Sequence, residues 1–171
     1  MGYQLNQVKF LNEFELERLE EVIKRASKPI HRLLIEVALK TGARATEVLR
    51  LRKSDLNPHD KSVFIRGIKG SNDREIPLNN DLWRRLNLYV KTVEGDMIFP
   101  ITYSGFVKVW HLYRPCKKKL HSLRHTFAIN LYKKHRDLRL VQVALGHRNI
   151  QNTMVYAEYH YQTTELRKLI C

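Results

Sequence analysis

The helical periodicity of this chain is interrupted once, and that interruption limits what it can fold into. Up to about residue 51 the apolar residues recur at three- and four-residue spacing. Leu16, Leu19, Val22, Ile23 and Ala26 form one series, and Ile30, Leu33, Leu34 and Val37 another. At Ser62-Val63-Phe64-Ile65-Arg66, and again at Arg74-Glu75-Ile76-Pro77, the pattern changes to that of short strands. Between them lies Gly67-Ile68-Lys69-Gly70-Ser71-Asn72-Asp73, a run of turn formers. A third strand is expected at Leu56–Pro58. Helical patterning resumes near 80–93 and continues towards the end, with no internal repeat, low-complexity stretch or linker. The expected class is α+β, mostly helical: one domain with a small antiparallel sheet packed on helices.

Local signals place the helix ends. Asn12 with Glu15 three residues on reads as a capping box. Pro29 opens a second helix and Gly42 closes it. A third helix is expected to carry Glu47, Val48 and Leu51. After a short Met97-Ile98-Phe99 stretch ended by Pro100, Ser104 is expected to cap a helix through Trp110. Another begins at His121, with Phe127, Ala128 and Leu131 inward. Asp137 and Gly146 bracket Leu138 to Leu145, and Asn149 or Asn152 is expected to start a helix carrying Tyr156.

The 171 residues suit one domain, and the apolar fraction of 43% is enough for a folded core. The charge is unusual: 31 Lys and Arg against 17 Asp and Glu, a net +14. Such a field favours polyanions. Nucleic acid is the first candidate and an acidic membrane surface the second. Nine bases fall within residues 111–139 against the single acid Asp137. Apart from Arg124 they are Arg114, Lys117, Lys118, Lys119, Lys133, Lys134, Arg136 and Arg139, and they read as a phosphate footprint. No apolar run approaches the roughly 20 residues of a membrane span, and the N-terminus lacks a signal-peptide core. Cys116 and Cys171 are too few for a disulfide framework or a cysteine-rich zinc site. A reducing, cytoplasmic setting is the default expectation.

Several residues suit phosphodiester chemistry. His121 and Arg124 are spaced i, i+3 at a helix start, where free backbone N–H groups also favour an anion. Arg44 follows Thr41-Gly42-Ala43, with Glu47 three residues on as a partner for its guanidinium. His147 follows Gly146 at a helix stop, and Tyr156 lies nine positions later. Arginines neutralise phosphate oxygens, imidazoles move protons and a phenol can attack phosphorus. Each element alone has an ordinary explanation: a surface salt bridge, a histidine at a helix end, a packing tyrosine. His121 and His125 are also spaced to chelate zinc near Cys116, but the glutamate of His-Glu-x-x-His is missing. His125 reads as a structural residue or one that supports the site residues from behind.

In order and spacing, Thr41-Gly42-Ala43-Arg44-Ala45-Thr46-Glu47, Lys69-Gly70 between two strands, His121-Ser122-Leu123-Arg124-His125-Thr126-Phe127-Ala128, Leu145-Gly146-His147 and Tyr156 resemble the catalytic domain of the tyrosine recombinases, the phage-integrase-like family. The resemblance runs from about Phe10 to Tyr156 and includes the 23 residues from Arg124 to His147. It implies DNA cleavage and rejoining through a 3′-phosphotyrosyl intermediate, for site-specific recombination or integration, with no metal, ATP or other cofactor. Arg44 and Arg124 then hold the scissile phosphate, and Lys69 protonates the leaving 5′ oxygen. His121 and His147 serve acid–base and phosphate-binding roles. Tyr156 is the nucleophile, and Glu47 supports the first arginine. The implied partner is double-stranded DNA, bound as a homo-tetramer, with a monomer in free solution.

Relatives of this kind carry an N-terminal DNA clamp that this chain does not match, so 1–171 is expected to be the catalytic domain alone. Residues 157–171 are expected to form a tail that docks on a neighbouring subunit or covers its own core through Tyr159, Tyr161, Leu166, Leu169 and Ile170. Two other readings remain at this point: type IB topoisomerase-like relaxation, and a non-catalytic DNA-binding module.

Overall fold

The structure is a computed structural model that describes residues 9–68, 70–157, 166, 167 and 170. Lys69, Tyr159, Tyr161 and Leu169 lie outside the described residues, while Leu166 and Ile170 are exposed. Among the described residues, the α-helices and strands run in the order α1 (Glu13–Lys24), α2 (Pro29–Thr41), α3 (Ala45–Val48), β1 (Leu56–Asn57), β2 (Ser62–Ile65), β3 (Arg74–Pro77), α4 (Asn80–Val90), α5 (Tyr103–Tyr113), α6 (Ser122–His135), α7 (Leu138–Leu145) and α8 (Gln151–Met154). The expected α+β class, mostly helical with one antiparallel sheet, is what the chain adopts. No described helix is long and apolar enough to cross a membrane.

The centre of the fold is α2. Pro29 presets its first turn, and Leu33, Leu34, Ile35, Val37, Ala38 and Leu39 are buried, which is more than one helical face. It packs against α1, α3, α4, α5 and α6. Gly42 ends it in the left-handed region at φ 63°, and a β-carbon there would stand 2.3 Å from the Phe127 ring of α6. Only glycine lets the chain turn this close to α6, and the turn delivers Arg44 beside that helix. The first half of α6 is buried on nearly every side, from Ser122 through Thr126 and again at Ala128 and Ile129. It separates a large core around α2 from a smaller apolar cluster of Phe10, Ala128, Ile129, Val141, Leu145 and Tyr156.

The sheet order is β1-β2-β3, all antiparallel, with Val63 opposite Ile76 and Ile65 opposite Arg74. Burial alternates along β3: Arg74 and Ile76 face inward, Glu75 and Pro77 outward. The Asn12–Glu15 capping box forms, and Asp137 and Gly146 bracket α7.

Several expected ends shift by one to three residues, and three differences are informative. Thr102, rather than Ser104, caps α5, because its hydroxyl accepts from the Gly105 backbone at 3.1 Å. The third helix is a single turn that ends before Leu51. The helix expected to carry Tyr156, α8, is also one turn and stops short of it, leaving Tyr156 in the turn beyond.

Candidate active site

Glu47 organises the site. Its carboxylate is fully buried and meets guanidinium groups from three separate elements. Oε1 accepts from Arg44 Nη1 at 3.1 Å, and Oε2 accepts from Arg74 Nη2 at 2.8 Å and from the Arg44 backbone N–H at 2.8 Å. Arg124 Nη1 stands 3.9 Å from the same Oε2. Burial alone would raise the Glu47 pKa. The hydrogen bond and charge of Arg74, the Arg44 amide and the Arg124 charge outweigh it and hold the carboxyl below its usual value.

Arg124 is 2% exposed and held from three sides. Nη1 donates to the Gly42 carbonyl at 2.7 Å, and Nη2 donates to the Leu145 carbonyl at 3.0 Å and to His147 Nε2 at 2.9 Å. The ends of α2 and α7 thus supply carbonyls that fix the fork. Burial, then the neighbouring Arg44 charge, brings the Arg124 pKa down to about 10, so it remains a cation at neutral pH. Arg44 is looser. Its side chain is about one-third exposed, and Nη1 also bonds the Ser71 hydroxyl.

His147 sits at the left-handed stop of α7, made by Gly146 at φ 69°. A guanidinium can only donate, so His147 Nε2 accepts from Arg124, and Nδ1–H donates to Thr153 Oγ1 at 2.9 Å. That pair of bonds assigns the neutral tautomer. Loss of hydration, then the Arg124 and Arg44 charges, lowers the His147 pKa to about 4. His121, at the start of α6, keeps an exposed edge. Loss of hydration within the cleft, then the same two arginines, also brings it to about 4. Both rings are therefore neutral at pH 7.

Tyr156 is 2% exposed, yet it borders the cleft. Its hydroxyl lies 3.1 Å from His125 Nδ1 in a buried hydrogen bond, and the His121 ring stands edge-on to His125 at 4.7 Å. Arg44, His121, Arg124, His147 and Tyr156 all line one cleft of about 590 Å³. Five of the six residues singled out in the sequence as catalytic thus come together; the sixth, Lys69, lies outside the described residues. Its hairpin docks on the same site, where Asn72 N–H donates to the Gly146 carbonyl at 2.8 Å and Ser71 pairs with His147. Among the described residues, no three His, Cys, Asp or Glu side chains group as a metal site.

The matching family is described as the phage integrase family, and the match spans residues 9–163. The chain belongs to the phage integrase family. It is 33% identical over 187 residues to tyrosine recombinase XerC of Bacillus licheniformis, covering 94% of this chain and 59% of that one. It spans between half and two-thirds of the length of the curated relatives it matches. Among solved structures, XerH site-specific recombinase bound to difH substrate superposes with a TM-score of 0.75 at 28% identity, over 98% of this chain and 54% of that one. The catalytic domain of bacteriophage HP1 integrase superposes at 0.71 and 26% identity over 94% of each chain.

The basic footprint divides between the two ends of α6. Lys117 and Lys119 are exposed immediately before His121, and Arg114 is half-buried with a long 3.4 Å bond to the Lys118 carbonyl. Lys133, Lys134, Arg136 and Arg139 lie at the far end of α6, about 20 Å away at 1.5 Å per residue, or just beyond it. Lys134 and Arg136 are exposed, and Arg139 donates to Gln142 Oε1 at 2.8 Å. Lys118 requires a correction. Its ammonium turns inward, donates to the Phe10 carbonyl at 2.6 Å and pairs with Glu15, so it ties the loop to α1 instead of facing a partner.

Sequence reasoning missed three residues. Arg74 is 6% exposed and bonds Ala144 O at 2.8 Å besides Glu47, joining the hairpin to α7. Its signal was available: a charged residue in the inward register of a strand, two positions from Ile76. Gln142 donates to the His147 carbonyl at 3.0 Å and fixes the turn that aims the imidazole. Thr153 Oγ1 accepts from the other nitrogen of His147, in the tautomer that the Arg124 donor imposes. Neither has a signature in one sequence.

Proposed function

We propose that this chain cleaves and rejoins double-stranded DNA through a covalent 3′-phosphotyrosyl intermediate formed at Tyr156, as the catalytic part of a site-specific recombinase or integrase. The observation that carries the reading is the Glu47 cluster: two arginines from distant elements, fixed by one buried carboxylate, open with two histidines and a tyrosine onto a single cleft. Three guanidiniums against one carboxylate leave an excess of two positive charges (3 − 1) before any phosphate arrives. A phosphodiester brings one negative charge, and the attacked phosphorus gains more towards the transition state. A fixed excess of cations therefore favours the transition state over the ground state.

In this reading Arg124 and Arg44 bind the non-bridging oxygens, Arg44 through the part of its side chain left open. His147 and His121, neutral at pH 7, donate or accept single protons rather than adding charge. Lys69 protonates the leaving 5′ oxygen. The Tyr156 hydroxyl passes its proton to the neutral imidazole of His121 as its oxygen bonds to phosphorus and the P–O5′ bond breaks, and the freed 5′ hydroxyl later reverses the step. Covalent capture conserves the bond energy, so rejoining needs no ATP. The arginine cations supply the charge neutralisation that a metal provides elsewhere. DNA as partner is supported by the similarity to a recombinase solved with its DNA substrate; assembly as a tetramer on DNA is part of the same proposal.

The test is incubation of the chain with a library of nicked duplexes of randomised sequence, followed by a denaturing gel. The expected result is a DNA–protein band that survives SDS and disappears in Tyr156→Phe. Salt-sensitive binding without any such band would mean a binding module. Relaxation of supercoiled plasmid without recombinant product would mean topoisomerase-like action.

A further inference from the structure

His125 follows the second arginine of the site, but nothing above gives it a task. Its place is specific. It is buried in α6, one residue from Arg124, and lines the cleft beside Tyr156. Its Nδ1 makes the 3.1 Å buried bond to the Tyr156 hydroxyl, and its ring meets the edge of His121 at 4.7 Å. The three side chains form a row from the arginine-lined cleft to the phenol. Tyr156 has little else of regular structure to aim it, since it lies beyond a one-turn helix in a turn closed by its own N–H to Thr153 O at 3.0 Å. A change of rotamer about Cα–Cβ, or a shift of that turn, moves the phenol oxygen, and a directional bond at the oxygen restrains both.

We propose that His125 is a positioning residue for the nucleophile: its Nδ1 holds the Tyr156 hydroxyl in the direction from which it attacks phosphorus. The proposal rests on the phosphotyrosyl reading above and names the residue that aims its attacking atom. Burial, then repulsion from a protonated His121 and from Arg124, lowers the His125 pKa to about 3 and keeps the ring neutral. A neutral imidazole offers a lone pair at Nδ1 to the phenol, which a cation could not. The bond also gives this buried imidazole a partner on the side facing Tyr156. A leucine there would fill similar volume but leave the phenol oxygen without this partner.

The test compares His125→Asn, His125→Gln and His125→Leu in the full chain, using nicked duplexes that the wild type captures. An asparagine amide places a polar atom where Nδ1 stands, and a glutamine amide places it near Nε2. The expected result is adduct formation slowed about 100-fold in H125L and H125Q, the scale of a misaligned reacting group. H125N stays within about 10-fold of wild type, and DNA affinity is unchanged in all three. A 5′-bridging phosphorothiolate, whose thiolate leaves without a proton donor, should not rescue H125L, because the defect lies on the nucleophile side. The assignment is overturned if H125L forms adduct at or above the wild-type rate, if the phosphorothiolate restores it, or if Gln rescues and Asn does not. Should H125L fail to fold, the Asn–Gln contrast decides alone. A wild-type chain that forms no adduct at Tyr156 overturns the phosphotyrosyl reading and this one with it. A wild-type adduct unaffected by H125L overturns only the role of His125.

Discussion

The two halves of the candidate site are built differently. The phosphate-binding half rests on Glu47, whose carboxylate is shared among groups from α3, β3 and α6, and on carbonyls at the ends of α2 and α7. The nucleophile half is a turn after the four-residue α8, with Tyr156 set among Phe10, Ala128, Ile129, Val141 and Leu145 and bonded to His125. One half is crossed by ion pairs and hydrogen bonds from several elements; the other is a short segment seated by apolar packing and the His125 bond. The contrast suits the proposed chemistry. The charged cradle must be preorganised before the substrate arrives, since its value lies in not having to rearrange. The attacking group must adjust as a covalent bond forms and breaks.

The largest expected effect is on the cradle's chemistry. Arg124→Ala removes a buried cation along with the donors to Gly42, Leu145 and His147, and adduct formation should fall by at least about 100- to 1000-fold. Single-turnover cleavage measures it. Activity within 10-fold of wild type would break the comparison, because the cradle would then not be the catalytic half.

Next in size is stability. Glu47→Ala leaves Arg44, Arg74 and Arg124 facing one another with no shared anion, and should cost about 3–5 kcal/mol in urea unfolding. A loss under 1 kcal/mol would mean that the cluster is not the keystone of the phosphate-binding half.

A smaller, graded effect is expected with pH. His121 and His147 titrate near 4 and His125 near 3 in the folded chain, against about 6.5 when unfolded. The unfolded state takes up protons first. Stability should therefore be intact above pH 6.5 and decline as pH falls towards 4. His125→Asn, with one titrating ring fewer, should show a shallower decline. A stability curve flat between pH 6.5 and 4.5 would contradict the neutral, buried state of these rings.

The smallest effect concerns motion. Amide hydrogen exchange should show Thr153 to Ala157 opening well before the amides of α2, whose helix is buried on most sides. Equal protection would erase the distinction between a fixed cradle and an adjustable nucleophile segment.

What could be read from the sequence follows the same division. Asn12 with Glu15, Pro29, Gly42, Asp137 and Gly146 carry their signals locally, and the helix ends they mark are where the structure has them. Arg44, His121, Arg124, His147 and Tyr156 were individually weak and became a set only through their order and spacing. The strand register placed Arg74 inward with Ile76, but its partner Glu47 lies 27 residues earlier, and that pairing has no local signal. The helix expected to carry Tyr156 shrank to one turn because so short a segment takes its conformation from packing, not from its own propensity. Lys118 looked like its neighbours Lys117 and Lys119; only the approach of α1 gave it Glu15.

The central claim is that Tyr156, and no other tyrosine, takes the DNA strand. Trypsin should release the segment 149–167, which carries Tyr156, Tyr159 and Tyr161 together. Mass spectrometry of that peptide from wild-type adduct, after nuclease trimming, assigns the phosphonucleotide by fragmentation. The account predicts the modification on Tyr156 alone. A phosphonucleotide on Tyr159 or Tyr161, or an adduct that persists in Tyr156→Phe, would contradict it.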